Sequence, residues 1–208
     1  MSEAKTPWAP LLGTILLALA FWFATFYLRF GIFWIKISLS ALILAGLAFR
    51  FQPGLKGRLH FDGKALAVGT ASAAALYLIF WAGKLISTAI LPFAEGQIGA
   101  VYGKGEGTPA WVIALLLFCV TGPCEEIYWR GYLQDRLMQR FGGRKGWLLG
   151  TAIYAGVHVW SFNFMLIGAA AVAGAFWGYL YWWLGRLGPV IVSHALWSTF
   201  IFSVLPVP

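Results

Sequence analysis

The chain has 208 residues, of which 61% are hydrophobic and only 11% charged, with a mean hydropathy of +0.78. A water-soluble domain carries about a quarter charged residues, so a soluble enzyme or binding module is excluded and a polytopic membrane protein is indicated. The net charge of +8 would suit a nucleic-acid binder, but no polar face exists to carry a basic patch, so nucleic acid is excluded as a partner.

A hydrocarbon core about 30 Å thick takes roughly 20 apolar residues per helix. By that measure the sequence predicts an all-α fold, a membrane helix bundle of about seven transmembrane helices, at 9–28, 32–49, 65–86, 111–128, 147–162, 165–184 and 189–205. At the first of these, Lys5 and Ala18-Leu19-Ala20 resemble a cleavable signal peptide. Apolar sequence runs on through FWFATFYL, so an uncleaved span is expected. Residues 1–109 hold three spans and a Gly-rich outer stretch, 88–109, with room for a re-entrant part. Their polar residues form no grouping with evident chemistry. The segment 129–146 alternates Leu133, Leu137 and Phe141 with Arg136, Arg140 and Arg144. It is expected to lie on or just beneath an anionic leaflet. Residues 110–208 hold the last four spans and every cluster described below.

Basic residues set the orientation. With the N-terminus inside, Lys5, Arg50, Lys56, Arg58, Lys64, Arg130, Arg136, Arg140, Arg144, Lys145 and Arg186 fall on the cytoplasmic side. Arg29, Lys36, Lys84 and Lys104 fall outside, so eleven of the fifteen basic residues favour N-in, C-out.

Two adjacent carboxylates, Glu125 and Glu126, end the apolar run AWVIALLLFCV, in a chain with seven Asp and Glu altogether. Carboxylates at such a place are expensive and mark a candidate site. On a helix the two lie about 100° apart, so they have different partners. Arg130, four residues beyond Glu126, is positioned to pair with it. Gly122-Pro123 is expected to break or kink the span; with Pro123 opening a new segment, both glutamates would sit in its first turn. A plain ion pair at the membrane edge, with Glu125 merely wet, accounts for the same residues. His158 lies late in the fifth span with Tyr154 four residues before it. His194 lies in the seventh with Ser198 four residues after it, whereas His60 sits in a charged loop. Intramembrane ionisable groups avoid lipid and seek one another, so these residues are expected to converge. A carboxylate, two imidazoles and a hydroxyl could then activate water at Glu125 and hold an oxyanion with imidazole N–H groups and Ser198. Zinc could use the same Glu and His residues, but H-E-x-x-H is absent. Cys119 and Cys124 are five residues apart on one predicted helix, suited to packing rather than to a mutual disulfide.

E-E-x-x-x-R at 125–130, Tyr154-x-x-x-His158 and His194-x-x-x-Ser198, each on its own span, resemble the CAAX-protease-and-bacteriocin-processing family, which includes the type II CAAX prenyl endopeptidases. The resemblance covers roughly residues 110–202. It implies an intramembrane endopeptidase of a bacterial inner membrane, acting on a membrane-anchored protein or peptide. It also implies that Glu125 activates water with His158 assisting, that His194 and Ser198 form the oxyanion hole, and that no cofactor or metal is needed. Tyr154 stands where the family commonly has Phe, and Ser198 where it commonly has Asn. The shortness of the chain suits a sorting-signal protease of the myxosortase kind. Competing readings are an idle family member serving as an immunity or scaffold protein, and a small transporter. Transport is disfavoured because the charged groups lack a matching set in the N-terminal half.

Overall fold

The computed structural model describes residues 8–206, which leaves Lys5 outside the described residues. It is an all-helical bundle, with no strand among those residues. Helix α1 (Trp8–Phe26) and helix α2 (Phe33–Phe51) form a hairpin whose turn uses Gly31 at φ 63°. A short turn at Pro53–Arg58 leads to α3 (Gly63–Ile90), capped where the Asp62 carboxylate accepts from the Ala65 N–H at 2.7 Å. The expected outer stretch contains a further helix, α4 (Ala94–Tyr102).

The next helix, α5 (Ala110–Phe141), runs 32 residues through the Gly122-Pro123 pair without a break. Proline has no N–H to give and crowds the preceding turn. The chain absorbs this by widening locally: Leu117–Thr121 is a π turn, and the Gly122 N–H reaches back to the carbonyl of Leu117. The glutamates therefore follow a continuous helix rather than opening a new one, and the expectation that they sit in a free first turn is corrected. The expectation of a leaflet-bound 129–146 is corrected for 129–135, whereas Gln139, Arg140, Phe141, Arg144 and Lys145 beyond it are exposed. Trp129, Arg130, Tyr132, Leu133, Gln134 and Asp135 are all buried, because α5 continues into the bundle. Gly142, at φ 84°, ends it.

Helix α6 (Gly143–Val157) continues into a tight turn at His158–Ser161, and the Asn163 side chain caps α7 (Phe164–Leu184). The last helix, α8 (Gly188–Val204), opens on Gly188-Pro189. Five helices, α1, α2, α3, α5 and α7, are long and apolar enough to cross a membrane. Helices α6 and α8 correspond to the two remaining expected spans and are shorter. Large apolar side chains such as Leu16, Leu78 and Trp111 are exposed around the outside, as a lipid-facing surface requires. This is an integral membrane protein.

Two close approaches bring the polar residues of α5, α6 and α8 together. A Cβ at Gly122 would lie 3.1 Å from the backbone of Ala195, so only glycine lets α5 and α8 meet beside Glu126 and His194. A Cβ at Gly174 would lie 2.9 Å from the Tyr154 ring, which brings α7 against α6 at the same level. Small residues at such crossings are the usual means of close helix packing in lipid.

Candidate active site

Helix α5 carries Glu125 and Glu126 into the bundle facing different ways, as their 100° offset dictates. Glu126 is fully buried and Arg130 only 2% exposed. Arg130 Nη1 donates to Glu126 Oε1 at 2.9 Å across one helical turn, and Nη2 reaches the carbonyl of Gly174 at 3.3 Å. The guanidinium also lies over the Tyr154 ring, 4.5 Å from its centroid. Charge pairing, backbone contact and ring contact together compensate for taking this ion pair out of water.

His194 of α8 completes the buried group. Its Nδ1 lies 2.7 Å from the same Glu126 Oε1. The Trp177 indole of α7 stacks on its ring, with centroids 3.9 Å apart and planes 16° from parallel. Trp177 is itself held by donating its N–H to Ser193 Oγ at 3.1 Å.

Glu125 turns the other way, where the Tyr154 hydroxyl donates to its Oε2 at 3.0 Å. The hydroxyl that distinguishes Tyr154 from the commoner Phe is thus in direct use. One turn on, His158 places Nδ1 2.8 Å from the Tyr154 carbonyl oxygen and Nε2 3.2 Å from Nε1 of Trp22. Ser198 donates its hydroxyl proton to the carbonyl of His194 at 2.8 Å, the usual back-bond of a helical serine.

Glu125, Tyr154, His158, His194 and Ser198 all border one cavity of about 540 Å³, whose remaining walls are mostly apolar and aromatic. Glu126 and Arg130 lie behind it and hold His194. Glu125, Glu126, Arg130, Tyr154, His158, His194 and Ser198 are therefore all in or directly against a single site, whereas His60 and Cys119 are not. Trp22 and Trp177 belong there too and carried no sequence signal, since each reads as one more lipid-facing or interfacial aromatic.

The residues do not fit a zinc centre. Both nitrogens of His158 are engaged and His194 Nδ1 faces a carboxylate, leaving Glu125 and one imidazole nitrogen where a catalytic zinc takes three protein ligands. Among the described residues no group of three or more His, Cys, Asp or Glu is arranged to hold a metal. What the arrangement offers is acid–base chemistry: a carboxylate oriented by a phenol, opposite an imidazole oriented by a second carboxylate.

Residues 107–200 match a family model described as type II CAAX prenyl endopeptidase Rce1-like. The matched segment contains all three motifs, so the resemblance read from them is borne out over those residues, and what it implies is a membrane protease. No curated protein and no solved structure matched the chain.

Proposed function

We propose that this chain is an intramembrane endopeptidase of the glutamic type, cleaving membrane-anchored protein or peptide substrates with no metal or other cofactor. The observation that carries the reading is the shared cavity: Glu125 and His194, each fixed by its own buried partner, border the same mostly apolar space. Residues 110–208 serve as the catalytic core, and 1–109 complete its walls.

With Tyr154 on Oε2, the other oxygen of Glu125 is available to a water. It takes the proton as the water oxygen attacks the scissile carbonyl carbon, with His158 assisting from the adjacent wall as a fixed neutral imidazole rather than as a second base. The developing oxyanion is held by His194 and by Ser198, whose hydroxyl must first turn from the His194 carbonyl. The role of Glu126 and Arg130 is to orient His194, much as a buried carboxylate orients the imidazole in a hydrolase triad. The apolar walls suit an apolar or lipid-bearing segment next to the scissile bond. A C-terminal sorting signal, as in the myxosortase branch, is one such substrate. The protein works in a bacterial inner membrane with its N-terminus inside.

The test compares the membrane proteome of a strain lacking this chain with its parent. One or a few membrane proteins should keep a segment in the deletion strain that the parent removes, and processing should return with wild-type protein but not with Glu125→Gln. Rescue by Glu125→Gln would favour an idle scaffold, and an unchanged proteome would reject the protease reading.

A further inference from the structure

The two histidines of the cavity have opposite capacities for a proton. At His158, a carbonyl oxygen faces Nδ1 at 2.8 Å and an indole N–H faces Nε2 at 3.2 Å. A carbonyl only accepts and an indole N–H only donates, so Nδ1 carries the hydrogen and the Nε2 lone pair is already used. A second proton would set N–H against N–H. Trp22 is fully buried and packed edge-on against Trp129, with ring centroids 5.5 Å apart, so it has no easy way aside.

His194 is the reverse case. Its Nδ1 faces Glu126 Oε1, the oxygen that Arg130 also engages. A carboxylate paired with a guanidinium is an acceptor, so Nδ1 carries a hydrogen in both protonation states of the ring. The atom that gains and loses a proton is therefore Nε2, on a ring clamped under Trp177. The charged and titratable groups facing it are Glu125, Glu126 and Arg130 from α5, with Tyr154 and His158 across the cavity. Lys84 of α3 and Lys104 border the same space.

We propose that His194 Nε2 delivers the proton that leaves with the amine product, and that Trp22 is a positioning residue that keeps His158 neutral and outside the proton path. This rests on the endopeptidase reading above. The cycle begins with Glu125 ionised and His194 protonated. Water gives a proton to Glu125 while its oxygen bonds to the carbonyl carbon, and the C=O π pair moves onto oxygen. When the intermediate collapses, the C–N bond breaks and its electron pair goes to nitrogen, which takes the proton from His194 Nε2. The proton on Glu125 then passes to Nε2, restoring both groups. The sum is amide and water to carboxylic acid and amine. An imidazole that only held the oxyanion would keep its proton throughout.

The experiment uses two substrates with the same acyl half, one an amide and the other a nitrophenyl ester, whose leaving group departs without protonation. His194→Gln keeps a side-chain N–H toward the oxyanion but has no proton to give. Amide cleavage by this variant should fall about a hundred- to ten-thousandfold further than ester cleavage, the usual contribution of general acid–base catalysis, since any loss of oxyanion or Glu126 contact is common to both substrates. Equal losses on both substrates, or no loss on either, would overturn the proposal and leave the endopeptidase reading standing. If the wild type cleaves neither substrate, that reading fails and takes the proposal with it. A measurement independent of variant folding is ¹⁵N NMR of the labelled wild type in detergent. His158 should show a single neutral tautomer with its hydrogen on Nδ1, and His194 a hydrogen on Nδ1; a His158 hydrogen on Nε2 would overturn the assignment. In Trp22→Phe, which keeps a ring but loses the N–H, the His158 signals should show a mixture of tautomers. If they keep the single wild-type tautomer, Trp22 has no such role.

Discussion

Glu126 and His194, 68 positions apart in the chain, meet through a 2.7 Å hydrogen bond on the oxygen that also receives Arg130. Three groups from two helices thus share one buried atom, and the loss of any one leaves the others uncompensated.

Arg130→Ala should accordingly damage stability and turnover together. Removing one partner of a buried pair typically costs about 3–5 kcal/mol, and the freed carboxylate would no longer fix His194. Thermal unfolding in detergent and cleavage assays of the same preparation check this. An Arg130→Ala protein with wild-type melting and wild-type turnover would remove the pairing from the account.

Ser198→Ala should be a milder lesion. Loss of a single oxyanion donor costs about a hundred- to a thousandfold, roughly 2.7–4 kcal/mol, and Ser198 should fall at or below that range because its hydroxyl already serves the His194 carbonyl. Ser198→Asn, with a longer donor, should keep or raise activity. Single-turnover cleavage by the two variants decides; full activity in Ser198→Ala with none in Ser198→Asn would make position 198 a packing site.

Exhaustive chelation of purified protein should leave cleavage intact, because the His158 nitrogens are already committed to Trp22 and the Tyr154 carbonyl. Stoichiometric zinc whose removal abolishes activity and whose return restores it would contradict the donor geometry.

The pH response of stability has a marker at the start of α3. The Ala65 backbone N–H, and next the Arg186 guanidinium, hold the Asp62 carboxyl below its ordinary value. A lowered folded-state value means that Asp62 stabilises above its unfolded value, and that this contribution disappears as pH falls through the folded value. Asp62→Asn should thus melt below wild type at neutral pH, and the gap should close on acidification. A gap that is constant with pH would show that the charge plays no part.

The Glu126–Arg130 pair was legible in the sequence because i,i+4 spacing on a helix is a local rule. The meeting of Glu125, Tyr154, His158, His194 and Ser198 was legible because few polar residues lie within apolar spans and lipid leaves them nowhere else to go. Trp22 and Trp177 were not, since in a chain with 12 tryptophans nothing local separates an indole that positions a histidine from one that faces lipid. The course of α5 through Pro123 was also hidden. Proline announces a missing hydrogen bond, but the π turn that accommodates it depends on the packing of α8 against Gly122. The stretch 129–146 was half legible: Arg140 and Arg144 are exposed as their spacing suggested, but 129–135 is buried because α5 continues into the bundle.

The most direct test of the account is cleavage of a membrane-anchored peptide by purified protein, comparing the wild type with Glu125→Gln. Gln is nearly isosteric and can still meet the Tyr154 hydroxyl, but it cannot take a proton from water. The account predicts a folded Glu125→Gln protein, with near-wild-type melting, that has no detectable turnover on a substrate the wild type cleaves. Turnover by Glu125→Gln at a rate comparable with the wild type would contradict it.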